Sequence, residues 1–401
     1  MQGEIIFLFA ALLILALLIP WVEGLLGKGR YIALTVIALG LAFALRAWFM
    51  DYQSGDYNTF LSKWVQYFRD SGGFQGLSTS VGNYNFPYLY LLAAFSYIPL
   101  SDLHLIKLSS IFFDLVLAFG MMKLAGVFTR SVPKRLGAYL ITLLLPTVVI
   151  NGAMWGQCDS IYVSFIVLAL WLVLSGRPKL SMVCMALSFG FKLQAVFIMP
   201  LFLILLFAKK IKFWHFFIFP VSYIILIMPA VLMGRPFMDA FMLYFNQADT
   251  VGSGLNYNSP SLFALIDGGA NAAALSAFGI AAAFLFVFCL TIRGWSKRNQ
   301  LSNEALLGFA ILFAVGIPFL LTHMHDRYFF MADVLTVMPF ILYKRYAPVM
   351  LLTSFASFIC YYSYLNQTYL LPLSYGAVAL IGVLLMMLTF TEERLSVPRV
   401  S

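Results

Sequence analysis

The sequence predicts an all-α, polytopic membrane protein, and three observations support this prediction. Of the 401 residues, 62% are hydrophobic and only 10% are charged, whereas a soluble domain carries about 25% charged residues. Apolar runs of roughly 18 to 22 residues recur along the chain, and this length crosses a hydrocarbon core of about 30 Å as a helix. The runs lack period-two alternation, which favours helices over an outer-membrane barrel.

We expect a single integral membrane domain over residues 1–401, with about 11 to 13 transmembrane or re-entrant helices. Simple spans are predicted at residues 5–22, 31–50, 105–128, 136–150, 160–174, 213–233, 272–292, 305–321, 329–343, 347–365 and 370–390. The first run has no basic leader or small-residue cleavage site, so it is expected to be a retained helix. The cysteines at positions 158, 184, 289 and 360 have no paired spacing and are expected to be packing residues.

The net charge of +9 is interpreted first as a sign of membrane orientation. Lys and Arg cluster at residues 28–30, 130–135, 177–179, 209–212, 293–298, 344–345 and in the tail with Arg394 and Arg399. The positive-inside rule predicts that all of these connections and the C-terminus are cytoplasmic. We therefore expect membrane lipids, and no nucleic acid, as partners.

Two segments are too short for the crossings that their flanking charges require. Residues 180–208 have basic clusters at both ends, yet about 29 residues cannot cross a bilayer twice. They predict a re-entrant helix pair with Lys192 and Gln194 at its tip. Residues 86–100 predict a short helix that dips in from the outer face. Irregular backbone at membrane depth is tolerated only against protein or a watery cavity, so a cavity open to the outside is predicted.

This topology gathers most polar clusters on one side of the membrane. They are residues 51–87, 154–160, 234–259, 323–327 and 366–368. The first is the longest polar interruption and is expected to form an outer loop with short amphipathic helices. The convergence predicts a multi-pass plasma-membrane protein with an extracytoplasmic active site.

The outer loop carries the candidate catalytic carboxylate. Asp56 stands in Ser54-Gly55-Asp56-Tyr57, where the glycine would permit a tight turn that aims the carboxylate back at the membrane. Asp51 is a competing carboxylate in the same loop. A turn or helix-capping role is the alternative for Asp56.

A second polar turn, Asn151 to Ser160, lies between two apolar spans. Trp155 is suited to stacking on a sugar, and Gln157 and Asp159 to hydrogen bonding with sugar hydroxyls. The alternative is an aromatic-belt turn in which Asp159 caps the next helix.

Buried ionisable residues form a third group of candidates. Lys192 lies in an apolar stretch, where an unpaired charge costs several kcal/mol, so it is a functional candidate by default. A structural ion pair is the alternative. Asp114 shares a helical face with Lys107, and we expect these two to form a structural pair.

The densest polar cluster contains His323, His325, Asp326 and Arg327. Zinc is disfavoured because only His104 could add another histidine on this face, so no metal or cofactor is expected. Arg327 with one histidine suits a phosphate, because guanidinium binds phosphate bidentately and stays charged. A solvated loop with a chance cluster is the alternative.

Four of these motifs, in order, resemble the GT-C superfamily of polytopic glycosyltransferases. They are Gly55-Asp56-Tyr57, Trp155-Gly156-Gln157-Cys158-Asp159-Ser160, Phe191-Lys192-Leu193-Gln194 with Pro200, and Met324-His325-Asp326-Arg327-Tyr328. The likeness covers residues 46–340. It is strongest to bacterial proteins similar to the GPI-anchor second mannosyltransferase and more distant to the dolichyl-phosphate-glucose-dependent glucosyltransferases.

The resemblance implies a hexosyltransferase for mannose or another hexose. The donor would be a polyprenyl-phosphate sugar, and the acceptor a hydroxyl of a lipid-linked or polymer glycan outside the membrane. Asp56 would be the base, and the donor phosphate would meet His325, Arg327 and Lys192. The sugar or acceptor would meet Trp155, Gln157, Asp159, Gln194 and Tyr57.

Reaction chemistry favours the same residues. In an inverting transfer the base takes the acceptor proton, while the phosphate leaving group needs cations more than a protonating acid. One carboxylate with separate cations suits this better than the paired carboxylates of glycoside hydrolysis. Two alternatives stay open: a transporter or flippase for a lipid-linked or anionic substrate, and a glycan polymerase or ligase with a diphosphate-linked donor.

Overall fold

A computed structural model of the chain describes residues 3–247, 252, 254–266 and 271–395. Parts of the predicted outer segment 234–259, and Arg399 in the predicted basic tail, lie outside the described residues.

The first half of the chain forms helices that alternate with short turns. They are α1 (Gly3–Val22), α2 (Gly29–Phe49), α3 (Ser62–Asp70), α4 (Phe86–Phe95), α5 (Asp102–Phe128), α6 (Val132–Leu144), α7 (Pro146–Val149), α8 (Asp159–Leu174), α9 (Pro178–Phe191) and α10 (Pro200–Phe207). Two turns of π-helix, Tyr57–Leu61 and Ile150–Trp155, and two 3₁₀ segments, Gly73–Ser78 and Leu193–Ile198, lie between them.

The second half adds α11 (Ile218–Leu232), α12 (Phe237–Phe241), α13 (Leu243–Gln247), α14 (Ala272–Ser296), α15 (Asn303–Leu320), α16 (Phe330–Leu335), α17 (Val337–Leu342), α18 (Ala347–Asn366) and α19 (Leu373–Leu395). The 3₁₀ segments here are Phe213–Phe217, Leu262–Ala264 and Lys344–Tyr346. Two short strands, β1 (Asn256–Tyr257) and β2 (Met324–His325), pair in parallel.

The prediction of an all-α polytopic membrane protein is confirmed. Among the described residues, eight helices are long and apolar enough to cross a membrane, and α6 with the following segment adds a ninth if that pair, bent by 49°, is one span. Shorter apolar segments complete the bundle at Phe86–Phe95, Asp159–Leu174, Pro178–Phe191, Leu193–Phe207 and Phe330–Leu342.

The basic connections lie together at one end of the bundle, here named the basic end. Contacts between distant parts of the chain join them: Arg135 with Glu23, Lys134 with the Leu342 carbonyl, Lys179 with Trp214, Arg293 with Glu392, and Arg345 with Glu393. The positive-inside rule requires such clustering on one side. The opposite end holds Asp56 and is named the Asp56 end.

The segment predicted as a re-entrant pair turns at Lys192. Lys192 lies against Asp159, at the first residue of α8, whereas Leu205 shares a small apolar cleft with Leu174 at the other end of α8. The chain thus runs the length of α8 in α9 and returns through α10. Its placement relative to a bilayer stays a prediction.

The predicted outer loop contains short helices, and α3 shows why they form. Val65 and Phe68 are buried while Lys63 and Gln66 are exposed, so α3 lies on the bundle with one apolar face.

A proline interrupts the span after α6, and a buried arginine donates a hydrogen bond to a backbone carbonyl at this break. Pro146 has no N–H to continue the helix. The Arg46 Nη1 donates to the Leu143 carbonyl at 2.9 Å, and the same side chain pairs with Asp114 at 2.8 Å. Both side chains of this pair are at most 1% exposed. Arg46 therefore links α2, α5 and the break after α6.

The expected pair of Lys107 with Asp114 is wrong. Lys107 donates to the carbonyls of Phe49, Met50 and Tyr52 at 2.7, 3.1 and 2.5 Å, at the end of α2. The two residues share a face of α5, but the long lysine side chain reaches the carbonyls at the end of a helix, where cations are stabilised.

Replacing Arg46 by Met tests the buried pair. We expect Arg46→Met to destabilise the fold by about 3–5 kcal/mol, because Asp114 is left as an uncompensated buried charge. Thermal unfolding in detergent measures the effect. In the double variant Arg46→Met/Asp114→Asn the charge is gone, and most of the loss should be recovered. A single variant no less stable than the double would contradict this account.

Candidate active site

The carboxylate of Asp56 is the centre of a cluster that comes from four distant parts of the chain. Its Oδ2 accepts hydrogen bonds from Trp155 Nε1 at 2.9 Å, Gln157 Nε2 at 2.6 Å and Arg327 Nη1 at 2.7 Å. Its Oδ1 accepts one from the Tyr364 hydroxyl at 2.5 Å. The side chain of Asp56 keeps 18% of its surface exposed, so the carboxylate borders solvent.

The local backbone around Asp56 is helical, which differs from the predicted glycine turn. Gly55 opens the helical segment without a positive φ, and a Cβ at this position would lie 3.8 Å from the Tyr364 hydroxyl. Asp56 makes no side-chain capping bond to the π-helix that follows. Its carboxylate is directed to other segments, so the capping alternative does not describe it. The Ser54 hydroxyl holds the loop by donating to the Trp155 carbonyl at 2.8 Å.

Trp155 and Gln157 reach the same oxygen because a left-handed glycine separates them. The π-helix Ile150–Trp155 ends at Gly156, with φ of +78°, a conformation that glycine adopts without steric cost. The Gln157 N–H closes the turn by donating to the Asn151 carbonyl at 2.9 Å. Turns of π-helix are frequent at functional sites.

Arg327 enters from the segment between α15 and α16. Its guanidinium lies 4.7 Å from the centre of the Trp155 ring, a cation–π geometry. Upstream, the backbone is pinned where β2 pairs with β1 and where the His323 ring bonds the Gly254 carbonyl at 2.6 Å. The loop is therefore fixed from His323 to His325, just before it reaches Arg327.

A second ion pair extends the cluster inward. Lys192 pairs with Oδ1 of Asp159, and Asn151 Nδ2 donates to Oδ2 of Asp159 at 2.8 Å. The Nε of Arg327 is 3.8 Å from Asp159. The charges alternate from Lys192 through Asp159 and Arg327 to Asp56. Lys192 thus forms the ion pair considered as its alternative role, directly beside the Asp56 cluster.

Neighbouring charges and hydrogen bonds determine the protonation state of Asp56. Burial raises the pKa of Asp56, but the charge of Arg327 and the hydrogen bonds from Tyr364, Arg327 and Trp155 outweigh burial and hold the pKa below its usual value. Asp56 is therefore ionised at neutral pH.

His325 has the opposite balance. Its ring stacks on Tyr257 with centroids 4.9 Å apart. Burial, with the charges of Arg327 and Lys192, lowers the pKa of His325 to about 4. The imidazole is neutral at pH 7 and can meet an anion as an N–H donor, not as a cation.

Not every predicted residue joins the cluster. The Tyr57 hydroxyl lies beside the backbone of Leu103, away from the Asp56 carboxylate. Gln194 lies beside Tyr328, and its Oε1 is buried without a partner among the described residues. Asp51 is 73% exposed and pairs with His104 at 2.9 Å.

Sequence reasoning missed two residues of the site, Tyr364 and Tyr361. Tyr364 stacks on Trp155 with centroids 4.5 Å apart, and Tyr361 meets the same ring edge-on at 5.2 Å. Their spacing of three residues at the end of α18 places both on one helix face. This spacing, next to a segment predicted to lie on the Asp56 side, was the available signal.

Within the described part of the chain, no three His, Cys, Asp or Glu side chains are grouped as a metal site would require. A groove of about 800 Å³, lined by Glu304, Tyr343 and Arg394 among others, lies at the basic end, remote from Asp56. The outward cavity at the Asp56 end stays a prediction.

Comparison with known proteins gives no family for this chain. No protein-family model matches the chain, and no curated protein matches it.

Asp326 gives a prediction about stability and pH. Burial raises the pKa of Asp326 to about 7, although Arg327 lowers it. The unfolded chain loses this proton near pH 3.8, the ordinary value, while the folded protein keeps it until about 7. Asp326 therefore costs stability increasingly between these values and fully above them.

We expect Asp326→Asn to raise the Tm by about 2 to 5 °C at pH 8 and to leave it nearly unchanged at pH 4. Thermal unfolding in detergent across this pH range measures it. Asp239→Asn, at an exposed carboxylate, is the matched control and should change little. An Asp326→Asn effect of equal size at every pH would refute the assignment.

Proposed function

We propose that the chain is a membrane glycosyltransferase of the GT-C type. It transfers a hexose, mannose-like or other, from a polyprenyl-phosphate sugar to a hydroxyl of a lipid-linked or polymer glycan. The reaction takes place at the outer face of the plasma membrane, with the C-terminus cytoplasmic. It inverts the anomeric centre and uses Asp56 as general base.

One observation carries this proposal: the resemblance motifs, separated by up to 271 positions, meet at one ionised carboxylate. Asp56 receives Trp155 and Gln157 from the second motif and Arg327 from the fourth. Lys192 of the third motif joins through Asp159. Four short motifs that form one polar site are more informative than four motifs in sequence order.

The geometry suits general-base catalysis by Asp56. Three donors hold Oδ2 and fix the orientation of the carboxylate, so Oδ1 is the oxygen left to receive a proton. The acceptor hydroxyl gives its proton to Oδ1 as its oxygen bonds the anomeric carbon, and the polyprenyl phosphate leaves with the electron pair of the broken C–O bond.

The leaving phosphate is assigned to Arg327. Its Nη1 donates to Asp56, while its Nε faces Asp159 and Asp326 at 3.8 and 3.9 Å without a hydrogen bond among the described residues, so the donors of the guanidinium are not all used. A guanidinium stabilises phosphate charge by paired, charge-assisted hydrogen bonds. His325 adds a neutral N–H donor, and Lys192 acts through Asp159, which it holds in place.

Asp56→Asn tests the base. We expect turnover to fall by about 100- to 10,000-fold, the usual contribution of a positioned base. Donor binding should persist, because the amide keeps the shape and Arg327 loses a competing anion. Transfer of radiolabelled hexose from a synthetic polyprenyl-phosphate sugar into lipid-linked glycan extract measures turnover.

Asp51→Asn is the matched control for this loop and should transfer sugar at the normal rate. Near-normal turnover in Asp56→Asn together with a loss in Asp51→Asn would move the base to Asp51. Loss in neither variant would reject a loop carboxylate as base.

Arg327→Ala tests the phosphate contact. We expect donor affinity to fall by about 10-fold or more, because a charge-assisted hydrogen bond contributes about 1.5–3 kcal/mol. His325→Ala should give a smaller loss, since a neutral donor is removed. Titration calorimetry with the monophosphate donor and with a diphosphate-linked donor measures both effects and separates the polymerase alternative.

Arg345→Ala, at an exposed arginine of the basic end, is the control and should bind donor normally. If Arg327→Ala and His325→Ala both keep full donor affinity, the phosphate site must be assigned to Lys192 instead.

A further inference from the structure

The two oxygens of Asp56 are unequally occupied. Oδ2 has three donors, whereas among the described residues Oδ1 has only the Tyr364 hydroxyl, at 2.5 Å. A carboxylate oxygen offers about two acceptor positions. Oδ1 is therefore the oxygen able to accept a further proton, and the hydroxyl of Tyr364 already lies on it.

Tyr364 is fixed in place by contacts that do not involve Asp56. Its ring stacks on Trp155 at an interplanar angle of 18°, and its backbone carbonyl accepts from Gln367 Nε2 at 2.6 Å. Gln367 ends α18 in the left-handed region, with φ of +54°. The ring position is thus set by the helix end and by Trp155. The hydroxyl is not needed to hold the ring, and its contact is with the carboxylate of Asp56.

We propose that Tyr364 is a positioning residue that covers the basic oxygen of Asp56 until the acceptor hydroxyl displaces it, so that sugar passes to the acceptor and not to water. The inference rests on the proposed function and adds to it the selection of the acceptor. An acceptor glycan can displace one hydrogen bond because it makes further contacts in the site, whereas a single water molecule has no such contacts.

Transfer and hydrolysis use the same step with different nucleophiles. In each, an O–H proton passes to Oδ1 of Asp56, the oxygen bonds the anomeric carbon, and the C–O bond to phosphate breaks. With the acceptor the product is a glycoside, and with water it is free sugar. Polyprenyl phosphate is the other product in both cases. By holding one of the two acceptor positions of Oδ1, the Tyr364 hydroxyl leaves less of this oxygen open to a water molecule.

Tyr364→Phe removes only the hydroxyl and keeps the stacking on Trp155. We expect it to release free mannose from radiolabelled polyprenyl-phosphate mannose, without acceptor, about 10-fold or more faster than the wild type, since one charge-assisted hydrogen bond no longer has to be broken. The full chain in lipid nanodiscs is used. Tyr362→Phe, at a neighbouring tyrosine of α18, is the control and should keep the slow release.

Two further measurements separate this role from a structural one. Adding Asp56→Asn to Tyr364→Phe should abolish the extra release, because Asp56 activates the water. Loss of the hydroxyl also removes a hydrogen bond that lowers the pKa of Asp56, so the acidic limb of the release profile should lie at higher pH in Tyr364→Phe.

Equal release by the wild type and Tyr364→Phe, with wild-type transfer into lipid-linked glycan extract intact, would overturn the inference and leave the proposed function standing. Extra release that persists in the double variant Tyr364→Phe/Asp56→Asn would also overturn it. If the wild type consumes no mannose, glucose or galactose donor even with the extract, the proposed function fails, and the role of Tyr364 fails with it.

Discussion

The ion pair between Asp56 and Arg327 is the interaction on which the Asp56 end of the bundle depends. A charge among apolar helices is tolerated only when it is paired, so each ionised group here requires a partner from another segment. Asp56 brings the loop between α2 and α3 to Arg327, and Arg327 lies 3.8 Å from Asp159, the partner of Lys192. This series of alternating charges joins the loop between α2 and α3, the start of α8, the break between α9 and α10, and the loop before α16.

The same balance constrains the chemistry. Lys192 and Arg327 each have a carboxylate partner at rest, so in the proposed reaction an incoming phosphate has to share either cation with a carboxylate. In the proposed reaction, a phosphate that binds Arg327 weakens the ion pair between Arg327 and Asp56. The carboxylate then becomes a stronger base, because the charge that most lowers its pKa is shared with the phosphate. The proposed mechanism thus couples donor binding and activation of the base through one guanidinium.

Sequence patterns predicted the helical class and the gathering of polar motifs, but not the partners within the site. Asp56, Trp155, Gln157 and Arg327 were identifiable because polar residues between long apolar runs stand out. Tyr364 was not, because a tyrosine at a helix end is typical of a membrane interface. A ring becomes part of a site only through the neighbour it stacks on, and that neighbour is 209 positions away in sequence, at Trp155.

The partners of buried charges were also not predictable from spacing along one helix. Spacing on α5 suggested that Lys107 and Asp114 pair, yet Asp114 pairs with Arg46 of α2, and Lys107 satisfies carbonyls at the end of α2. Helical spacing reports neighbours on one helix, while a flexible lysine side chain selects among all acceptors within reach. Arg46 is a charge inside an apolar run, so it requires a partner on another helix, and this requirement was a signal for Asp114.

The backbone interruptions explain why the site lies at this end. The π-helices at Tyr57–Leu61 and Ile150–Trp155, the left-handed Gly156 and the break at Lys192 all adjoin the carboxylates. In a continuous helix, residues two apart point to different faces, so the side chains of Trp155 and Gln157 could not meet at one oxygen. The irregular turns make that convergence possible. They are tolerated because the regular helices beneath them, α5, α8 and α15, bury the apolar core that stabilises the fold.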